Sequence, residues 1–315
     1  MAPTQPGNRH SHVSLGPVLL ISYLALYEGL LLAMRHSGNF DISEPLMVLA
    51  IVGVGFSLTA WLVTARATPL AYSIANPASE LAMVGAFLLV AVAFITWGLS
   101  ALHRYSPSDP TQAIVILLAK LVIFVVLPAA ILRARFGWTW RRLAPVFMQP
   151  SHLLAAAAMS AVLLAFQAIF GRGLRDIQAA HLHLATLLYG VPLTFVWMAV
   201  EAGVVEEFFF RVLLQGRLSA VLRSELGAVV LSSLIFGLAH APGIYLRTSL
   251  TLEGLQNPSL LVAIGYSVVM ISVTGFFLGV LWARTRNFGV LVLVHAMGDL
   301  LPHLLPTLRT LHLLG

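Results

Sequence analysis

The chain is a succession of long apolar runs separated by short polar links. Runs of roughly membrane-crossing length occur at Gly16–Met34, Pro45–Ala65, Leu81–Leu102, Ala113–Leu132 and Leu153–Phe170, and then at Leu184–Leu214, Leu226–His240, Leu260–Ala283 and Phe288–Leu305. About 20 apolar residues are needed for one helical crossing, so the pattern predicts eight or nine transmembrane helices, with the short seventh run deciding between the two counts. The sixth run is longer than a crossing requires and contains Pro192, which predicts a kink or a protrusion into the interface. No strand-period alternation, low-complexity tract or internal repeat interrupts the pattern, so the predicted fold class is all-α, a polytopic membrane helical bundle. The expected organisation is a disordered N-terminal tail at 1–15, N-terminal transmembrane helices over 16–183, a second set of core helices over 184–305 and a C-terminal tail at 306–315. The polar opening stretch precedes a long apolar run without a small-residue cleavage pattern, which reads as a first span rather than a removable signal peptide.

Composition agrees with this pattern. Charged residues make up 10% of the 315 residues and hydrophobic ones 59%, where soluble domains carry roughly 25% charge. Too few charges remain to cover a water-facing surface, so the outer surface faces lipid. That excludes a cytosolic enzyme, a nucleic-acid module and a secreted scaffold. The net charge of +6 comes from arginines scattered through short links, where they set orientation rather than bind nucleic acid. With nine spans and the N-terminus inside, the inner segments hold Arg9, Arg66, Arg133, Arg135, Arg141, Arg142, Arg217, Arg223, Arg284 and Arg286. The outer segments hold Arg35, Arg104, Arg172, Arg175, Arg247 and Arg309. This bias favours an inside N-terminus. The link Arg133–Arg142 interleaves Phe136, Trp138 and Trp140 with arginines, a composition suited to an anionic headgroup layer and to a short interfacial helix or an aromatic-anchored loop.

Cysteine is absent, which excludes disulfides, thiolate metal sites, a cysteine nucleophile and cysteine-linked lipid anchors. Lys120 is the one lysine beside seventeen arginines, a bias that points to a GC-rich bacterial genome and hence to the bacterial inner membrane.

Ionisable side chains inside spans are costly and mark function by default. They concentrate late in the chain, in Glu206-Glu207-Phe208-Phe209-Phe210-Arg211, in Phe236-Gly237-Leu238-Ala239-His240 and in His295-Ala296-Met297-Gly298-Asp299. Glu207 and Arg211, four apart with the acid first, are placed to pair on one helical face. Glu206 is turned about 100° from Glu207 by the α-helical repeat and lacks that arginine, which makes it the better proton acceptor. His295 and Asp299 also stand four apart, so the carboxylate is expected to orient the imidazole. His240 stands at a helix end. Elsewhere, Glu28, Lys120 and Glu201 read as polar pairs or interfacial groups. His181 and His183 read as solvated surface, His303 and His312 as interfacial, and Phe208–Phe210 as core or lipid-facing packing.

These three strings, in this order, resemble the signature of the CPBP intramembrane endopeptidases, which include the Ras-converting type II CAAX proteases and bacterial bacteriocin-processing or immunity relatives. The resemblance covers Met198–Leu301, about a third of the chain. It implies a glutamate-dependent protease without a metal or other cofactor. On this resemblance Glu206 matches the catalytic glutamate, which activates water with His240. Glu207 and Arg211 match the supporting pair, and His295 and Asp299 the pair that stabilises the oxyanion. The 184–305 segment then corresponds to the catalytic core, and the partners are a membrane-associated peptide and the bilayer. The family's eukaryotic members carry asparagine where this chain has Asp299, which when ionised only accepts hydrogen bonds. We therefore expect Asp299 to orient His295 and the ring to be the donor.

Other chemistries leave different strings. The chain has no His-Glu-x-x-His, Gly-x-Ser-Gly or Gly-x-Gly-Asp, against zincin, rhomboid and presenilin-type proteases. A zinc site built from Glu206, His240 and His295 is the nearest rival. A non-catalytic immunity or scaffolding protein is a second alternative, and a proton-coupled carrier using Glu28, Lys120 and Glu201 a third. Counting helical rise from the run ends places His295 about 10 Å deep, Glu206 about 16 Å and His240 about 22 Å, so a shared site requires a short, tilted or re-entrant seventh helix.

Overall fold

A computed structural model describes residues 15–37, 40–71, 74–104, 110–139, 149–246 and 258–314. Among them lie nine helices long and apolar enough to cross a membrane. They are α1 (Leu15–His36), α2 (Ser43–Val63), α3 (Pro77–Leu102), α4 (Pro110–Phe136), α5 (Pro150–Phe170), α6 (Leu184–Leu222), α7 (Glu225–Leu246), α8 (Leu260–Thr285) and α9 (Phe288–Thr310). No strand occurs among the described residues, and the chain is a polytopic all-α membrane protein.

Most boundaries follow local chemistry. Pro77, Pro110 and Pro150 each open a helix, where the missing N–H costs nothing. Ser259 and Asn287 cap α8 and α9 by accepting from the Val262 and Val290 amides. Gly137, at φ 64°, ends α4, a left-handed position that glycine adopts without steric cost.

Several expectations are corrected. The seventh run is not short: α7 continues past His240 to Leu246 with Pro242 inside it, so the histidine lies within the helix rather than at its end. Arg217, expected in an inner link, belongs to α6 and is buried against Glu80 of α3 at 2.8 Å. The helix α9 runs to Thr310, so part of the expected 306–315 tail is its last turn. The expected 1–15 tail lies outside the described residues up to Leu15, where α1 begins, as do positions 140–142 of the aromatic-basic link.

The outer faces carry apolar side chains, with Leu89 and Trp97 each 73% exposed, as lipid contact demands. Inside, α7 and α8 approach closely through small residues: a Cβ at Gly237 would meet the Ser267 carbonyl and Ser272. Such close approach is how membrane helices gain contact where no water drives them together. α1 joins this pair through the Tyr23 and Ser272 hydroxyls, 2.7 Å apart. α9 packs against α5 and α6, and Gly203 of α6 leaves little room for a Cβ against Val292 of α9. The last four helices therefore form a tight core, and three of them carry the polar strings.

Candidate active site

The polar cluster is centred on α6. Its backbone does not follow the ordinary α repeat there: Ala199–Val204 and Glu207–Gln215 are π-wound, a widening often found at functional sites. The two adjacent glutamates still diverge. Glu207 is fully buried beside Arg211, whose Nε lies 3.3 Å from its Oε2. Glu206 is partly exposed and faces two imidazoles from other helices.

His240 of α7 places Nε2 3.9 Å from Glu206 Oε1, and His295 of α9 places Nε2 3.8 Å from Glu206 Oε2. Both separations exceed hydrogen-bond length, and across such a gap a bridging water is the natural occupant. The expected depth mismatch does not keep the three groups apart. Rise counted from a helix end gives depth only for a regular, upright α-helix, whereas Glu207–Gln215, inside the counted stretch of α6, is π-wound.

The orientation of each ring follows from its second nitrogen. His240 Nδ1 lies 2.9 Å from the Phe236 carbonyl, which can only accept, so Nδ1 carries the proton and a neutral ring offers its Nε2 lone pair to the site. The Phe236 ring packs edge-on against the same imidazole at 4.9 Å and also lies under the Arg211 guanidinium, again at 4.9 Å. The four-residue spacing of phenylalanine and histidine thus ties the second string to the first. His295 Nδ1 donates to Glu207 Oε1 at 2.7 Å, while its Nε2 faces Asp299 Oδ2 at 3.4 Å. The stronger orienting contact therefore comes from Glu207 on another helix, not from Asp299 as helical spacing had suggested. Nothing in the sequence pattern reveals that contact, because it joins residues 88 positions apart.

All six residues singled out in the sequence converge here: Glu206, Glu207, Arg211, His240, His295 and Asp299. Other polar groups lie apart from them. Glu201 pairs with Lys120 at 2.7 Å and accepts from the Trp197 indole at 2.9 Å, a satisfied pair between α6 and α4. Glu28 is exposed on α1, and Phe208, Phe209 and Phe210 are buried core. Gln167 of α5, a buried amide in an otherwise apolar span, bonds the backbone of α9 just after His295. Sequence reading passed over it, although a buried amide in such a span was a visible signal. Among the described residues no three His, Asp or Glu side chains are grouped to hold a metal ion.

Nine apolar crossings around a half-buried cluster of carboxylates and imidazoles define a polytopic membrane protein with an enzyme-like polar centre. Residues 188–301 match the family model described as type II CAAX prenyl endopeptidase Rce1-like. Over that segment the chain is similar to the CPBP family of membrane endopeptidases, which is a family of proteases. No curated protein and no solved structure matches the chain.

Proposed function

We propose that the chain hydrolyses a peptide bond of a membrane-associated peptide by attack of a water held between Glu206 and His240. The observation that carries this reading is the convergence of Glu206 with His240 and His295 from two other helices. A carboxylate and a neutral imidazole both accept, so one water can direct a hydrogen to each and turn its lone pair toward a substrate carbonyl. Glu206 takes the proton as the C–O bond forms. The carbonyl oxygen becomes an oxyanion, which needs donors placed where its charge appears. His295, donating from Nδ1 to Glu207, supplies a second N–H at Nε2 when the ring is an imidazolium, and Asp299 steadies that charge. Collapse of the tetrahedral intermediate breaks the C–N bond, and Glu206 returns its proton to the leaving amine. No step requires a metal.

The family's name makes a prenylated CAAX-type peptide the first probe, and the arginine distribution supports an inside N-terminus in a bacterial inner membrane. With the full chain in lipid nanodiscs, Glu206→Ala is expected to abolish cleavage of that peptide while the thermal unfolding midpoint stays unchanged. Unaltered cleavage by this variant refutes the assignment. Chelators are expected to leave activity intact, and inhibition reversed by added zinc would transfer the same residues to metal chemistry. A non-catalytic scaffold predicts instead that Glu206→Gln and His295→Ala retain the biological phenotype.

A further inference from the structure

α9 carries His295 and Asp299, and a side chain of α5 bonds its backbone on either side of Asp299. In a regular α-helix the Leu301 N–H would bond the Met297 carbonyl four residues earlier. Here Gln167 of α5 bonds both ends of that rung: its Nε2 donates to the Met297 oxygen at 2.9 Å, and its Oε1 accepts from the Leu301 nitrogen at 3.3 Å. The same Nε2 also donates to the Leu163 carbonyl at 3.2 Å, which anchors the amide to its own helix. Gln167 is buried, 6% exposed.

The next residue weakens the same stretch of the helical ladder. Pro302 has no N–H, and its ring crowds the carbonyl four residues back, that of Gly298. Gly173 also packs so closely on the Leu301 carbonyl that no Cβ would fit, a second close contact on the same turn. Asp299 sits between Met297 and Leu301, inside the turn the amide spans, and its carboxylate lies 3.4 Å from His295 Nε2.

We propose that Gln167 is a positioning residue for the site: its amide holds both ends of the α9 turn from Met297 to Leu301 and so sets where Asp299 stands relative to His295. The inference rests on the protease reading above and adds a residue from α5, outside the segment matched by the family model. An amide fits because it presents one donor and one acceptor side by side. A leucine removes both bonds and frees the turn that carries Asp299 to rotate.

The test uses the full chain in nanodiscs with the prenylated CAAX-type peptide, and the variants Gln167→Leu and Gln167→Glu. Misplacement of about 1 Å at a reacting centre costs about a hundredfold in rate. Gln167→Leu is therefore expected to lower kcat by about that factor with KM nearly constant. Gln167→Glu, which as the neutral acid presents the same donor and acceptor, is expected to retain most of kcat. Unchanged kcat in Gln167→Leu, or equal losses in the two variants, overturns the proposal. An experimental structure of Gln167→Leu judges it independently of activity: a His295–Asp299 separation still at 3.4 Å overturns it, and a displaced Asp299 carboxylate supports it. Failure of the unsubstituted chain to cleave the peptide counts against the protease reading alone, and the structure of the variant still decides the positioning role.

Discussion

Two stretches of α6, its middle at Arg211 and its end at Arg217, each hold a buried arginine beside a buried glutamate. At the end of the helix the pair is knitted into backbone. Arg217 meets Glu80 at 2.8 Å and donates to the Val212 carbonyl. The other oxygen of Glu80 accepts from the Ala75 and Asn76 amides at the start of α3. In the middle of the helix, Arg211 meets Glu207 at 3.3 Å, and no guanidinium nitrogen has a hydrogen-bond partner among the described residues. Glu207 instead turns an oxygen to His295. One carboxylate closes a corner between helices, whereas the other holds an imidazole that faces the candidate reaction centre. Burial and charge are alike in the two, so the destination of the spare carboxylate oxygen separates structure from chemistry.

That contrast can be broken experimentally. The largest effect is expected from Glu80→Ala, which leaves the Arg217 charge buried without its partner; loss of one member of a buried pair costs about 3–5 kcal/mol. Denaturant unfolding in mixed micelles checks this value, and the specific activity of the molecules that remain folded is expected to be normal. Next is Glu207→Gln, which keeps an acceptor for His295 but removes the charge. Here kcat is expected to fall about a hundredfold, equivalent to about 2.7 kcal/mol, and the unfolding midpoint to fall as well, because Arg211 loses the carboxylate it is buried against. A large stability loss without a kinetic one would make the middle pair structural like the end pair. The smallest effect is expected from Lys120→Met, which breaks the half-buried pair with Glu201. Polar contacts between membrane helices contribute on the order of 1 kcal/mol, so a modest fall in midpoint with unchanged kcat is expected, and a strong loss of cleavage would extend the site toward α4.

The number and placement of the spans were legible because hydrocarbon imposes one requirement on every crossing, a long apolar run with its backbone bonded internally. The three polar strings were legible for the complementary reason, since charge in such a run is costly unless used. The end of α7 was misjudged because Pro242, which reads as a stop, lies inside a helix that other helices support. Arg217 was misread as part of a link because its partner, Glu80, lies 137 residues away.

The sequence by itself determined an all-α membrane bundle and the six ionisable residues of the candidate site, since both follow from local composition and spacing. Only the tertiary structure decided that Glu207 rather than Asp299 holds the His295 ring most tightly, that Glu206 faces two imidazoles at once, and that Gln167 bonds both ends of a turn of α9. Each of those contacts joins different helices, whose relative placement is set by packing between helices, which no spacing within one helix encodes.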